Sequence, residues 1–423
     1  MHWKIDETLQ VLVIGLGYVG LPTAMALSKK YQTIGVDIDS TKISELKSGV
    51  DNTGYFTKEQ ISNNKQLQFS MEIATNSSKS VFIVTVPTPV NEKKEPDLSF
   101  LEQASKEIGK HLKKGDVVIF ESTTFPGCTE EICIPILEKA SQLTLNIDFG
   151  VGYSPERLSP GDGKCLTEIV RITSGSNEEI ADFVHGFYQS ILNVPVFKAG
   201  SIKIAEAAKL VENCQRDVNI SFVNELSILF DKMGINAFQV LEAAATKWNF
   251  HTFKPGLVGG HCISVDPYYM IYKAKEFDYN PAVIGAGRFV NESMGRFVAH
   301  KCLKLMNKKG ISQQNAKAVI LGFAYKANCP DFRNTKVIEV YRELAEFGIT
   351  VDLVDDRVDS KKVLAIYGVQ LRELEDLNHY DLIIHAVPHR SFERLYKSIK
   401  DKDHKVIVDV SGAWPAAYMD GSL

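Results

Sequence analysis

The stretch VLVIGLGYVGLPTAMAL, Val11 to Leu27, decides how this chain folds. An apolar run leads into Gly15, Gly17 and Gly20 in GxGxxG spacing, and a helical pattern follows at once. A second apolar run, TIGVDID, carries Asp37 near its end, about twenty residues further on. A glycine triplet alone is weak evidence. A strand before it, a helix after it and an acid at that distance make a dinucleotide-binding turn. Gly15 admits the tight turn, Gly17 lets the backbone approach a pyrophosphate, and Gly20 lets helix and strand pack closely. The phosphates then meet the positive end of the helix. Asp37 accepts from the adenosine ribose hydroxyls and repels a 2′-phosphate, so NAD is expected over NADP.

Working outward, SVFIVTVP, DVVIFEST and FGVGYSPE read as buried strands, separated by helical patterns such as SFLEQASKEIGKHL. Strands alternating with helices make a parallel sheet. The pattern changes at Ser201, where apolar residues recur at three- and four-residue spacing without proline up to Gly234, a C-cap. A helix this long bridges domains or builds a dimer interface. Alternation returns after Gly310 with AKAVILGF, ITVDLVDD, YDLIIHAVP and HKVIVDVSG, without a glycine triplet. The fold class expected is α/β: two doubly wound Rossmann-like domains joined by a long central helix.

Composition bounds the function. The 423 residues are 44% hydrophobic and 24% charged, as in ordinary globular protein. A net charge of −4 with scattered lysines and arginines argues against nucleic-acid or membrane-surface binding. There is no apolar run of about 20 residues to span a membrane, and the polar start MHWKIDETLQ does not read as a signal peptide. Seven widely spaced cysteines without a CxxC pair suit reduced thiols in a cytoplasm, and no metal site is expected. One of them stands apart. FKPGLVGGHCISVDPYY, Phe253 to Tyr269, sets Cys262 in an open glycine-rich loop with Asp266 four residues on.

Five patches, GLGYVG, VPTP, SPERLSPG, AEAAKLVEN and PGLVGGHCISVDPYY, together with GFAYKANCPDFRNTKV, resemble the UDP-glucose/UDP-N-acetylhexosamine 6-dehydrogenases along nearly the whole chain. KWNFHTFKPGLVGGHC and NCPDFRNTKV look most like the branch acting on UDP-N-acetylglucosamine or UDP-N-acetylgalactosamine. UDP-glucose enzymes carry a second glutamate where this chain has Pro160, which also points to an acetamido sugar. The resemblance implies a four-electron oxidation of the sugar C6 alcohol to a carboxylate by two NAD, for bacterial surface polysaccharide. A cysteine holds the aldehyde as a thiohemiacetal and then a thioester. It also implies an NAD-binding domain over 1–200, a central helical dimerisation domain over 201–309 and a UDP-sugar-binding domain over 310–423. The partners implied are the UDP-sugar and a second copy of the chain, paired through the long helix.

Residue by residue, the resemblance makes Cys262 the nucleophile and Lys209 the lysine that stabilises the oxyanion or helps activate water. Asn213, one helical turn on, would contact substrate. Asp266 would take the alcohol proton through a water shared with Thr123, and Glu156 would be the base for thioester hydrolysis. Gly15, Gly17, Tyr18, Val19, Gly20, Asp37, Lys42, Val86, Pro87, Thr88, Ser122, Thr123 and Arg333 would bind the cofactor. Glu156, Arg157, Leu158, Lys209, Asn213, Lys254, Gly259, Arg288 and Lys326 would bind the substrate. The glycines at 259 and 260 are read as leaving room for substrate and nicotinamide beside the thiol. Within the resemblance the alternative is a UDP-N-acetylmannosamine or UDP-glucose 6-dehydrogenase. Outside it, the alternatives are a two-electron 3-hydroxyacid or phosphogluconate-type dehydrogenase, which needs a lysine but no thiol, and, as a different class, an NAD or nucleotide-sugar sensor without catalysis.

Overall fold

The protein is described from a computed structural model covering residues 3–6, 8–76, 78–158 and 165–423; Pro160 lies outside the described residues. The chain divides into two compact units. One runs to Glu212 and takes in Tyr268–Tyr279, and the other comprises Asn213–Pro267 and Asn280–Leu423.

The first unit holds an eight-stranded sheet: β1 (Gln10–Ile14), β2 (Gln32–Val36), β3 (Leu67–Ser70), β4 (Ser80–Val84), β5 (Val117–Phe120), β6 (Gly150–Tyr153), β7 (Ile172–Gly175) and β8 (Phe197–Lys198). Their order is β3-β2-β1-β4-β5-β6-β7-β8. Pairing is parallel from β3 to β6, with Val13 beside Gly35 and Ile83. β7 then runs antiparallel to β6, with Tyr153 facing Ser174. β1, β4, β5 and β6 are buried along their whole length. Helices cover both faces of a parallel sheet, so its strands read as unbroken apolar runs rather than alternating ones. Val11, Val13, Ile83 and Ile119 pack with Leu21, Leu27, Val184 and Phe187. Each such side chain contributes about 1.5–3 kcal/mol on burial.

The second unit holds β9 (Lys317–Leu321), β10 (Thr350–Val354), β11 (Leu382–His385), β12 (Val406–Asp409) and β13 (Gly421–Ser422). They run parallel in the order β10-β9-β11-β12-β13. Val298, Cys302 and Met306, from the helix Ala282–Lys308, pack against Ile320, Ile384 and Val408. The α/β class with two Rossmann-like sheets and a long helix is as expected.

That helix spans Ile202–Met233. Ser201 starts it, its Oγ accepting from the Ile204 amide at 3.2 Å. Gly234, at φ 72°, ends it, and the Ile235 amide reaches back to the Phe230 carbonyl at 2.9 Å, the Schellman pairing. Within the first unit the helix is anchored by Glu206. Its buried carboxylate accepts from the Gly127 amide at 2.6 Å and the Thr129 amide at 2.9 Å.

Burial outweighs those hydrogen bonds and pushes the Glu206 carboxyl up from 4.5 to about 7. The folded chain therefore holds this proton more tightly than the unfolded one, and the stability it contributes is lost as pH rises through that range. Denaturant unfolding of the wild type should lose up to about 1.4 kcal/mol per pH unit relative to Glu206→Gln, between pH 4.5 and about 7. Parallel pH profiles for the two proteins would contradict this.

Candidate active site

In the first unit the carboxyl ends of β1, β4 and β5 form one tied edge. Gly15 has φ 94°, and a Cβ on Gly20 would sit 1.7 Å from the Gly15 carbonyl oxygen, so neither position accepts a side chain. Thr85 Oγ1 donates to the Gly15 carbonyl at 2.7 Å. A Cβ on Gly17, by contrast, would meet nothing within 4 Å. The helix Gly20–Leu27 starts there with no side-chain cap on Val19 and no acid in its first turn. Uncapped amides at a helix N-terminus, beside open space over Gly17, fit the pyrophosphate of a dinucleotide. Tyr18 belongs to the same turn, with its ring edge-on to Tyr55.

Asp37 follows β2. Its Oδ2 accepts from the Leu16 amide at 2.8 Å and Lys42 Nζ at 2.7 Å, and its Oδ1 from the Asp39 amide at 3.0 Å. Burial works to raise this carboxyl, but Lys42 and the amides outweigh it and hold it below the usual range. A carboxylate has about four acceptor sites, so one remains for a ribose hydroxyl. The loops after β4 and β5 are cross-tied: Ser122 Oγ donates to the Val86 carbonyl and Thr88 Oγ1 to the Thr123 carbonyl, both at 2.7 Å. Pro87 lies between those ties, and Thr123 is half-buried.

Glu156 lies just past β6. Its Oε2 receives Arg171 Nη2 at 2.9 Å, and its Oε1 receives the Arg157 amide at 2.7 Å and the Leu158 amide. The Glu156 carbonyl accepts from Lys209 Nζ, whose residue is buried on the long helix. Arg157 pairs with Glu212 at 2.7 Å. The first unit thus brings Glu156 and Lys209 into contact.

The second unit brings together Cys262, Asp266 and Asn213. The Cys262 carbonyl accepts from the Asp266 amide at 2.8 Å, which closes a turn directly before the helix Asp266–Lys275. Asn213 Nδ2 donates to Asp266 Oδ2 at 2.6 Å, and both residues are buried. Lys209 and Asn213 lie one turn apart on the long helix, so its register fixes their spacing.

Gly259 and Gly260 have a different reason from the one expected. A Cβ on Gly259 would lie 2.8 Å from the Asn334 carbonyl oxygen, and one on Gly260, at φ 86°, would lie 2.9 Å from the Tyr325 ring. The glycines let the thiol loop lie against the segment 325–335. Asn334 Nδ2 donates to the Gly260 carbonyl at 3.0 Å, and Arg333 contacts His261 Nδ1 at 3.2 Å while pairing with Asp331. Arg288 is buried rather than displayed. It pairs with Asp217 at 2.8 Å and donates to the Ile263 carbonyl, next to Cys262, at 3.2 Å. Lys254 is exposed and Lys326 half-buried.

Sequence reasoning missed three groups beneath these sites: Glu121, Arg171 and Asp217. Glu121, a charge ending the apolar run VVIF, was the one visible signal. Among the described residues no group of three or more His, Cys, Asp or Glu is placed to hold a metal. No helix among them is long and apolar enough to cross a membrane.

Comparison with known proteins gives a consistent result. Three consecutive segments match the UDP-glucose/GDP-mannose dehydrogenase family: its NAD binding domain over residues 9–191, its central domain over 203–293 and its UDP binding domain over 319–416. The chain is 47% identical over 423 residues to the UDP-N-acetyl-D-glucosamine 6-dehydrogenase of Salmonella typhi, covering 99% of each. It is 48% identical over 390 residues to the Pseudomonas aeruginosa enzyme of that name, covering 92% of each. The UDP-D-ManNAc dehydrogenase structure from Pyrococcus horikoshii matches with TM-score 0.85 at 30% identity, over 98% of both chains.

The thiols make a direct test of this geometry. None of the seven is in a disulfide; Cys165 is exposed, Cys262 half-buried and the other five buried. Burial pushes Cys214 and Cys302 up to about 12, which withholds their thiolates. A thiol reagent should modify two groups quickly and the other five only after denaturation, and Cys262→Ser should remove one of the fast pair. A wild type with five fast thiols would contradict the structure.

Proposed function

Because the chain belongs to the UDP-glucose/GDP-mannose dehydrogenase family, whose members are NAD-dependent, we propose that it oxidises C6 of a UDP-N-acetylhexosamine to the uronate. UDP-N-acetylglucosamine is the first choice, as in the relatives from Salmonella typhi and Pseudomonas aeruginosa, and UDP-N-acetylgalactosamine the next. The observation that carries this reading is the Cys262 turn, in which an accessible thiol is tied through backbone to Asp266 and through Asp266 to Asn213. A two-electron dehydrogenase has no use for that thiol.

NAD, when bound, supplies the hydride acceptor for both oxidations. The turn Gly15–Gly20 holds its pyrophosphate and Asp37 its ribose. Asp266, with a water shared with Thr123, takes the alcohol proton. The Cys262 thiolate adds to the aldehyde carbon, so no free aldehyde leaves, and Lys209 would stabilise the oxygen that becomes negative or help activate water. After the second oxidation the acyl group is a thioester on Cys262, and Glu156 takes a proton from the water that attacks it. Arg157, Leu158, Asn213, Lys254, Gly259, Arg288 and Lys326 would bind the substrate and Arg333 the cofactor; Arg288 also supports the thiol loop through the Ile263 carbonyl. We keep the functional division into 1–200, 201–309 and 310–423 as part of this proposal. A cytoplasmic location follows from the proposed substrates and agrees with seven cysteines outside any disulfide.

With UDP-N-acetylglucosamine, wild type should form two NADH per sugar, and Cys262→Ser should lose net turnover by at least about a hundredfold, as expected for removal of a nucleophile. Near-normal formation of two NADH per sugar by Cys262→Ser would sink the thioester route. A panel with UDP-glucose, UDP-N-acetylgalactosamine and UDP-N-acetylmannosamine tests the sugar assignment.

A homodimer through the long helix is proposed on a separate observation. Ile204, Val211, Phe222, Leu229 and Met233 are all exposed there. Their spacings of 7, 11, 7 and 4 residues bring all five within about 40° of one another around the helix. A straight apolar stripe on an exposed face calls for a partner, and a twofold copy is the commonest one. Light scattering should give twice 47.1 kDa, and Phe222→Glu should shift the protein toward monomer. An active wild-type monomer at micromolar concentration would refute it.

A further inference from the structure

The first unit buries a chain of three charges that the reaction scheme above leaves unused except at its end. Arg171 is 2% exposed and Glu121 1%. Arg171 Nη1 pairs with Glu121 at 2.7 Å and Nη2 with Glu156 at 2.9 Å. Glu121 also accepts from Tyr188 Oη at 2.5 Å and Thr23 Oγ1 at 3.3 Å. The Arg171 guanidinium lies 4.8 Å from the Tyr188 ring centre. Chain direction produces the cluster. Glu121 follows β5 and Glu156 follows β6 at the carboxyl edge, and only because β7 is antiparallel to β6 does its leading residue, Arg171, arrive at that same edge.

Burying three charges costs several kcal/mol for each ion, and a single neutral pair would cost less. Two carboxylates on one guanidinium leave the group at −1, so each takes only part of the cation. Burial pushes Glu121 up against the pull of Arg171, while Arg171 is held charged by both partners despite its burial. Glu121 has three of its roughly four acceptor sites filled, all by groups inside the fold. It is a counter-ion turned wholly into the fold. On Glu156 three sites are filled too, and among the described residues the open one is on Oε2, beside Arg171.

We propose that Arg171, shared between Glu121 and Glu156, is a positioning residue for thioester hydrolysis: forked between the two carboxylates, it aims Glu156 Oε2 and leaves one acceptor site on that oxygen open for the water proton. This rests on the reading that Glu156 serves hydrolysis. In that step the water oxygen bonds to the acyl carbon, the C–S bond breaks, and its electron pair returns to Cys262 as thiolate. One water proton passes to Glu156 and on to the thiolate, and the other leaves when the product carboxyl ionises. Neither hydride transfer involves the cluster.

The test uses Glu121→Gln, which keeps volume but gives Arg171 wholly to Glu156, and Arg171→Lys, which keeps the charge but loses the fixed planar fork that orients both carboxylates. Rapid mixing with NAD and UDP-N-acetylglucosamine should show a burst of about two NADH per subunit at the wild-type rate. Steady turnover should then fall at least about tenfold, less than the roughly hundredfold or more that a placed base supplies, because Glu156 itself remains. Mass spectrometry of quenched samples should find Cys262 acylated. Glu156→Gln is run beside them. If it too accumulates the acyl-enzyme while neither other variant does, the Arg171 proposal alone is overturned. If Glu156→Gln shows no acyl-enzyme, the role of Glu156 itself falls. A slowed burst in Glu121→Gln and Arg171→Lys would mean a general structural role and would also overturn the proposal.

Discussion

Parallel strands all end on the same side, and the residues that follow them must share one edge. In the first unit the last residues of β1, β2, β4, β5 and β6 lead directly into Gly15, Asp37, Thr85, Glu121 and Ser154. Polar groups buried there cannot reach bulk water and have to satisfy one another. Thr85 on the Gly15 carbonyl, Asp37 on the Leu16 amide and Tyr188 on Glu121 are solutions to that single constraint. What the constraint leaves open includes the space over Gly17 and one acceptor site on each of Asp37 and Glu156.

The second sheet answers the same constraint differently. Gly322 follows β9 at φ 96°, as Gly15 follows β1 at 94°. Asp355 follows β10, and its Oδ2 accepts from the Phe323 and Ala324 amides at 2.6 and 2.9 Å, as Asp37 does from Leu16. But His389 also sits on that Asp355 oxygen at 2.9 Å, and its other ring nitrogen accepts from the Asn328 amide at 2.8 Å. The aspartate that meets solvent-side partners in the first unit is closed off in the second. Its histidine instead fixes the segment that carries Lys326 and Arg333. One turn geometry therefore supports two kinds of edge.

These differences explain how much was legible in the sequence. The glycine turn, the strands and the ends of the long helix could be read because each depends on neighbours within a few residues. Buried parallel strands are unbroken apolar runs, and Ser201 and Gly234 act through adjacent amides. Arg171 could not be read, because its place depends on β7 reversing direction, which no local pattern records. Nor could Arg288, whose partner Asp217 lies 71 residues away on another helix. Gly259 and Gly260 were visible as glycines, but the cause, Asn334 and Tyr325, belongs to a distant segment. Local chemistry is written locally; the supports beneath it are not.

The placement of the thiol shows why that division matters for mechanism. Cys262 takes its position from a closed turn, with its carbonyl held by the Asp266 amide and the next carbonyl, that of Ile263, held by Arg288. Asp266 begins a helix and binds Asn213, so the turn is fixed at one end to the long helix. Lys209 lies one turn earlier on that helix and is bound to the Glu156 carbonyl. Rotation of the helix by one residue, about 100°, would carry Lys209 and Asn213 off their partners together. Helix register, set by Ser201 and Glu206 at its start, is thus the measure by which lysine and asparagine are kept in step. A thiol on a flexible loop would keep no fixed relation to Asp266; the closed turn and the Asn213 tie give Cys262 one within the second unit.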